Sequence, residues 1–420
     1  MRPLSFVRWS ITLATAAATS QGNTSNYDPR PYRIDVSPKL IEEIRFKAAY
    51  FRPTVNIAAP DWFDGPPVAN VSQVAEYIAN EYDWWDYQHM VNSNFSHYYT
   101  TVAAPGNFYP HEVDIHFIHQ RSSRKNAIPL LLLHGWSSSS LEWEKVIHSL
   151  TNPQDASQPA FHVIAPDLPG FGFSPAPVAP GLGGPGHAAI FASLMEQLGY
   201  KSYAVYSTDL GYVVATQMIE QYGERIVNHV TDFYFVPPNA TDLQRFAQNQ
   251  TTEEETRYIT SLNAFLNTHS AYSAVHDTYP LSIAYALNDS PVGFVAWIWQ
   301  IDATVRDLSV PFSLKEMVSQ ALVVLIPGVY GNIRSYKELF PIFFKGPKPS
   351  RVPTSVTQWG LPKPLYPDVA YFTTVPKDWV QRTANVTFFR RHDRGGHFPA
   401  YSYPELWLTA VWDAFSGLNI

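Results

Sequence analysis

An aspartate occupies the position where a sharp strand-to-helix turn more often presents a serine. The stretch Ser207-Thr208-Asp209-Leu210-Gly211 has the small-x-nucleophile-x-small form of a nucleophile elbow. Small residues flank such a turn because it presses backbone against backbone. A serine there suits acyl transfer, whereas a carboxylate can attack a strained sp³ carbon and leave an alkyl ester on the protein. The plainer alternative is that Asp209 only caps the helix written LGYVVATQMIEQYG, a common role for Asp. Two further stretches favour chemistry. His134-Gly135-Trp136 ends an apolar run, so backbone N–H groups near Trp136 can point at a developing oxyanion. His397, in RGGHF, follows the last apparent strand, where a general base is expected.

These residues need a frame that brings them together. Alternation in HEVDIHFIHQR predicts a strand, and IPLLLLHGW reads as a buried one. FHVIAPDLPGFGFS and KSYAVYSTDLGYVVATQMIEQYG follow with helices between them, and VNHVTDFYFV returns to a strand. That alternation predicts a doubly wound, mostly parallel sheet whose strand ends carry the site, and with the elbow at one of those strand ends the arrangement resembles an α/β-hydrolase fold. Residues 23–125 are expected to form a meander wrapped on the core, with one clear helical pattern, SPKLIEEIRFKAAY, capped by Ser37 and started by Pro38. Residues 126–236 form the first part of the core, 237–345 a helical cap, and 346–420 the C-terminal part around NVTFFRRHDRGGHF. PDLPGFGFS, a glycine-punctuated loop, supports the fold without adding chemistry.

Composition narrows the partners. A net charge of −7 over 420 residues offers no broad basic field, which argues against nucleic acid or an anionic membrane surface. With 15% aromatic residues the chain suits aromatic-lined pockets and a small-molecule ligand. The absence of cysteine excludes thiol catalysis, disulfides and thiolate zinc sites. Residues 1–22, with Arg2 and Arg8 ahead of a short apolar run, are expected to be a secretory signal, and the sequons at Asn23, Asn70, Asn94, Asn239, Asn249, Asn288 and Asn385 agree with a secreted glycoprotein. An uncleaved membrane anchor is the alternative reading of that segment.

The chain resembles the microsomal-type epoxide hydrolases over almost everything after the leader. The resemblance lies in the N-terminal meander ending in DIHFIHQ, in HGW, in the Asp-centred elbow, in ALNDSPVGFVAWI and in RGGHF. It departs from that family in having HGWSSSS where Pro-Gly-Ser usually follows the Trp, and STDLG where Gly-Gly-Asp-Trp-Gly is usual. The resemblance implies hydrolysis of a lipophilic epoxide to a vicinal diol without metal or organic cofactor. Asp209 would be the nucleophile, His397 the activator of water, and Trp136 part of the oxyanion site. Two cap tyrosines would protonate the ring oxygen, and the matching positions are Tyr272 in AYSAVHDTYP and Tyr336 in IRSYKELF.

The acid that should orient His397 is displaced. The stretch YPDVAYFTTVPKDWV lacks a Glu in the family's place, leaving Asp368 and Asp378 beside the gap. Asp232, at the end of the strand after the elbow, resembles the acid of some haloalkane dehalogenases of the same fold and is the preferred candidate. Two other classes stay open at this level: a haloalkane dehalogenase, against which the paired tyrosines argue, and a noncatalytic ligand-binding protein of the same fold. No stable macromolecular partner is implied.

Overall fold

A computed structural model describes residues 27–416 and residue 418. The expected leader and the sequon at Asn23 lie outside them. Among the described residues nine strands form one sheet: β1 (Arg30–Pro31), β2 (His97–Val102), β3 (Val113–Gln120), β4 (Ile128–Leu133), β5 (Phe161–Pro166), β6 (Tyr203–Ser207), β7 (Ile226–Thr231), β8 (Pro353–Gly360) and β9 (Asn385–Gly395). Their order is β1-β2-β3-β5-β4-β6-β7-β8-β9. Pairing is antiparallel from β1 to β5 and parallel from β5 through β9.

β4 explains why IPLLLL contains no polar residue. It lies between β5 and β6, in parallel register with Leu131 opposite Ile164 on one side and Val205 on the other. Helices cover both faces, and Leu130 through Leu133 are fully buried, as strands of a parallel sheet require. The chain reverses direction across the sheet on either side of β4, so the carboxyl ends of β4, β6, β7 and β9 meet at one crevice.

The N-terminal region contains more helix than its composition suggests. Besides Pro38–Ala49 there are helices at Val68–Asn80 and Trp84–Asn94. The helix Val68–Asn80 follows a proline with no side-chain cap, so the usual start signal is missing. It is held by burying Val74, Ala75 and Ile78. Asp83 caps Trp84–Asn94 by accepting from the N–H groups of Trp85 and Asp86. Ser37 occupies the expected cap position, but its hydroxyl makes no capping bond. This region also extends the sheet through β1 and β2 rather than only wrapping it.

Between β7 and β8 the chain runs through a series of helices, from Ala240–Ala247 to Val329–Phe343, referred to below as the cap. Three of its helices begin with reciprocal capping boxes, Asn239 with Asp242, Thr252 with Glu255 and Ser313 with Glu316, each satisfying donors that the helix itself leaves free. Asp242 is also clamped by two bonds from Arg382, at 2.6 and 2.8 Å, which fastens the start of the cap to the segment before β9. Among the described residues no single helix is long and apolar enough to cross a membrane.

Candidate active site

β6 delivers the chain into a tight turn. Thr208 is the helix N-cap, and Asp209 opens the helix Asp209–Tyr222 with φ +44°, a conformation rare for a residue with a side chain. Such a backbone costs on the order of 1 kcal/mol or more and persists only where its surroundings enforce it. They do so through two glycines. A Cβ on Gly211 would lie 2.2 Å from the Leu133 carbonyl oxygen, and one on Gly135 would lie 2.2 Å from Asp209 Oδ1. Asp209 is therefore more than a cap. Its Oδ1 accepts a 2.9 Å hydrogen bond from the backbone N–H of Trp136, and its Oδ2 lies 3.5 Å from His397 Nε2.

The loop after β4 holds Trp136 through both ends of the residue. Its indole N–H donates to Asn332 on the helix Val329–Phe343 at 3.1 Å, and its ring stacks on Tyr272 at 5.6 Å. The following peptide bond is cis. The serines of HGWSSSS have specific contacts: Ser137 Oγ donates to Asp302 of the helix Pro291–Val305 at 3.1 Å, and Ser139 Oγ accepts from Leu141 N–H. Asp167, in the glycine-punctuated loop after β5, is buried and accepts from Ser140 N–H, Phe173 N–H and His116 Nδ1. That loop therefore braces the Trp136 turn from behind.

His397 is positioned by its backbone. Gly395 and Gly396 have φ +118° and +63°, and a Cβ on Gly396 would fall 2.6 Å from Asp307 N. Asp307 accepts from Gly395 N–H, and His397 N–H donates to the Val305 carbonyl. The end of the helix Pro291–Val305 thus straps the histidine loop in place, a role for Asp307 that the sequence did not suggest. The imidazole packs edge-on against Phe233 and Phe398. Burial pulls its pKa down, but the hydrogen bond and charge of Asp209, with smaller contributions from Asp232 and Glu142, leave it raised above its usual value.

Tyr272 and Tyr336 come from separate cap helices, Ala271–Thr278 and Val329–Phe343, yet their rings meet at 5.9 Å. Both have strongly raised pKa values, first through burial. For Tyr272 the next cause is the charge of Asp209; for Tyr336 it is Tyr272 and then Asp209. Both phenols are thus protonated donors. His276, four residues after Tyr272, sets its ring edge-on to Trp136, Tyr272 and Tyr336 at 4.9, 5.6 and 4.9 Å. Burial lowers its pKa to about 3, and its Nε2 accepts from the indole N–H of Trp297. It is a neutral wedge that the sequence did not single out.

Asp209, His397, Trp136, Tyr272 and Tyr336 all line one cavity of about 890 Å³, counting its open mouth, whose remaining wall is mostly apolar, with phenylalanine its commonest residue. Asp232 lies immediately beyond β7, buried next to this cavity. Its Oδ2 accepts from Tyr206 OH at 2.8 Å, and that hydroxyl accepts from Trp407 Nε1 at 2.7 Å. Burial raises its pKa to about 6 against the opposing effects of Thr208, His397 and Tyr206. The two other candidate acids are elsewhere. Asp368 pairs with His269, and Asp378 is exposed on the short helix Lys377–Val380.

Comparison with known proteins gives a consistent picture. Residues 29–143 match the family model described as epoxide hydrolase N terminus, and residues 128–305 the model for the alpha/beta hydrolase fold. A protein of Stigmatella aurantiaca assigned as an epoxide hydrolase is 31% identical over 399 residues, spanning 93% of this chain and 85% of its own length. Epoxide hydrolase 1 of Oryctolagus cuniculus is 27% identical over 90% of this chain and 86% of its own. Among solved structures, the juvenile hormone epoxide hydrolase of Bombyx mori superposes with a TM-score of 0.81 at 24% identity, covering 93% of this chain and 95% of that one.

The elbow's tolerance for bulk provides a direct check. Gly211→Ala places a methyl group against the Leu133 carbonyl and is expected to destabilise the fold by about 1–3 kcal/mol. Urea denaturation measures this, and an unchanged midpoint would contradict the account of the turn.

Proposed function

The chain belongs to the epoxide hydrolase family, and from that membership we propose that its hydrolysis of epoxides runs through a covalent alkyl ester on Asp209. The observation that carries this reading is the double hold on the Asp209 carboxylate. With Oδ1 engaged by Trp136 N–H and Oδ2 directed toward His397, the nucleophile faces the two phenols across an apolar cavity.

In the first step an Asp209 oxygen attacks a ring carbon, and the C–O bond on that carbon breaks. An alkoxide is a poor leaving group near neutral pH, so the ring oxygen takes a hydrogen bond and then a proton from Tyr272 or Tyr336. Burial in this mostly apolar cavity strengthens these donors and favours a lipophilic substrate. In the second step His397 removes a proton from water, which attacks the Asp209 carbonyl carbon. The N–H of Trp136 stabilises the resulting oxyanion, joined by that of Leu210, the donor this fold places after its nucleophile. Collapse of that intermediate expels the ester oxygen of the diol, which takes the proton held by His397, and the proton of the added hydroxyl returns to the tyrosinate as the carboxylate re-forms. Asp232 orients the imidazole and balances its charge while it is protonated.

The electrostatics make the two steps compatible. In the free enzyme Asp209 is the chief group holding the imidazole's pKa up. Esterification removes that charge, so the His397 pKa falls when a neutral base is needed. The rate of ester hydrolysis, which rises as His397 loses its proton, should therefore inflect at a lower pH than the His397 titration followed by NMR in the free protein. An inflection at the same or a higher pH would count against this coupling.

His397→Gln separates the steps. Ring opening does not need the imidazole, so the variant should accumulate a substrate-sized adduct when treated with a lipophilic aryl epoxide, visible by intact-protein mass spectrometry and mapped to Asp209. A folded variant that binds the epoxide but carries no adduct would remove His397 from the second step.

A further inference from the structure

Glu142 has no part in the steps above, yet it lies beside them. It belongs to the turn Ser140–Trp143, six residues beyond Trp136, and is 3% exposed. Neither of its carboxyl oxygens has a hydrogen-bond partner of normal geometry, and Ser138 is the hydroxyl that influences it. Its neighbour Trp143 packs edge-on to Tyr206, which donates to Asp232 Oδ2, at 5.3 Å, and at 5.9 Å against Trp407, which donates to that tyrosine's hydroxyl. The turn therefore abuts the Asp232 side of the site, and Asp232, on which the Thr208 hydroxyl acts, likewise has an Oδ1 without a hydrogen-bond partner of normal geometry.

The charged groups that act on Glu142 are Asp232 beyond β7, His397 beyond β9 and Asp209 on the elbow. Asp302, from the cap, also interacts with His397 and has its own partner in Arg306. One imidazole thus faces several carboxyl groups in a dry interior. Two neighbouring carboxylates there repel each other and lose hydration, so one of them keeps its proton. Burial, reinforced by Asp232, raises Glu142 to about 8, whereas the groups around Asp232 restrain its rise to about 6.

We propose that Asp232 and Glu142 form a one-charge pair serving His397, in which Asp232 carries the negative charge, Glu142 holds the proton, and the charge passes to Glu142 when Asp232 is neutralised. Glu142 is on this account a second positioning residue. The inference rests on the assignment of His397 and Asp232 given above.

The test is single-turnover ester hydrolysis in Asp232→Asn and in Asp232→Asn/Glu142→Gln, with formation of the ester on Asp209 as the control for folding. In Asp232→Asn the repulsion on Glu142 is gone, so its proton is released at lower pH and hydrolysis should recover as pH rises through that titration. The residual loss should be roughly 10- to 100-fold, against about 10⁴-fold in the double variant, the cost of losing an orienting carboxylate in a related triad. Identical rates and pH profiles for the two variants would overturn the pair. Wild-type hydrolysis in Asp232→Asn would instead overturn the reading on which the pair rests. Infrared spectroscopy supplies a measurement independent of the double variant: the wild-type protein at neutral pH should show a protonated-carboxyl C=O stretch that Glu142→Gln removes. Its absence from the wild type would equally overturn the pair.

Discussion

The site is organised around one carboxylate held from two sides. Asp209 is placed by a left-handed backbone that two close glycine contacts enforce, and its two oxygens point to different elements: one to the loop after β4, the other to the loop after β9. If either contact is lost, the carboxylate can rotate out of line with the cavity. Much of the surrounding architecture can be understood as keeping those two loops still. Asp167 braces the first from the β5 loop, and Asp307 with Val305 straps the second from the cap.

This arrangement makes the cap part of the frame around the cavity. The helix Val329–Phe343 supplies Tyr336 and also, through Asn332, fixes the Trp136 indole. The helix Pro291–Val305 supplies Asp302 for Ser137 and the carbonyl that holds His397. Both of these helices therefore contact the hydrolase core close to the cavity.

The legibility of the site followed the backbone constraints. Asp209, Trp136 and His397 could be read because each lies beside glycines whose absence of a side chain is required by tight packing, and such positions leave a mark in sequence. The α/β frame could be read from β4 to β7 because strands buried on both faces become unbroken apolar runs. Tyr272 and Tyr336 are separated by 64 positions and were found only by resemblance. The helices Val68–Asn80 and Trp84–Asn94 were missed: the first lacks a cap residue, and the second hides its start in a run of aromatic residues. Glu142, Asp302 and His276 were invisible because nothing local distinguishes a buried polar side chain from a solvated one. Their surroundings are assembled from segments far apart in the chain.

The covalent role of Asp209 is the claim on which the other assignments depend, and isotope tracing addresses it most directly. In a single turnover with enzyme in excess in ¹⁸O-labelled water, the oxygen added to the substrate should come from the Asp209 carboxylate. The diol should emerge unlabelled, and the label should appear in the tryptic peptide that contains Asp209. Label in the diol from the first turnover, with none in that peptide, would mean that water attacks the epoxide directly and would contradict the account.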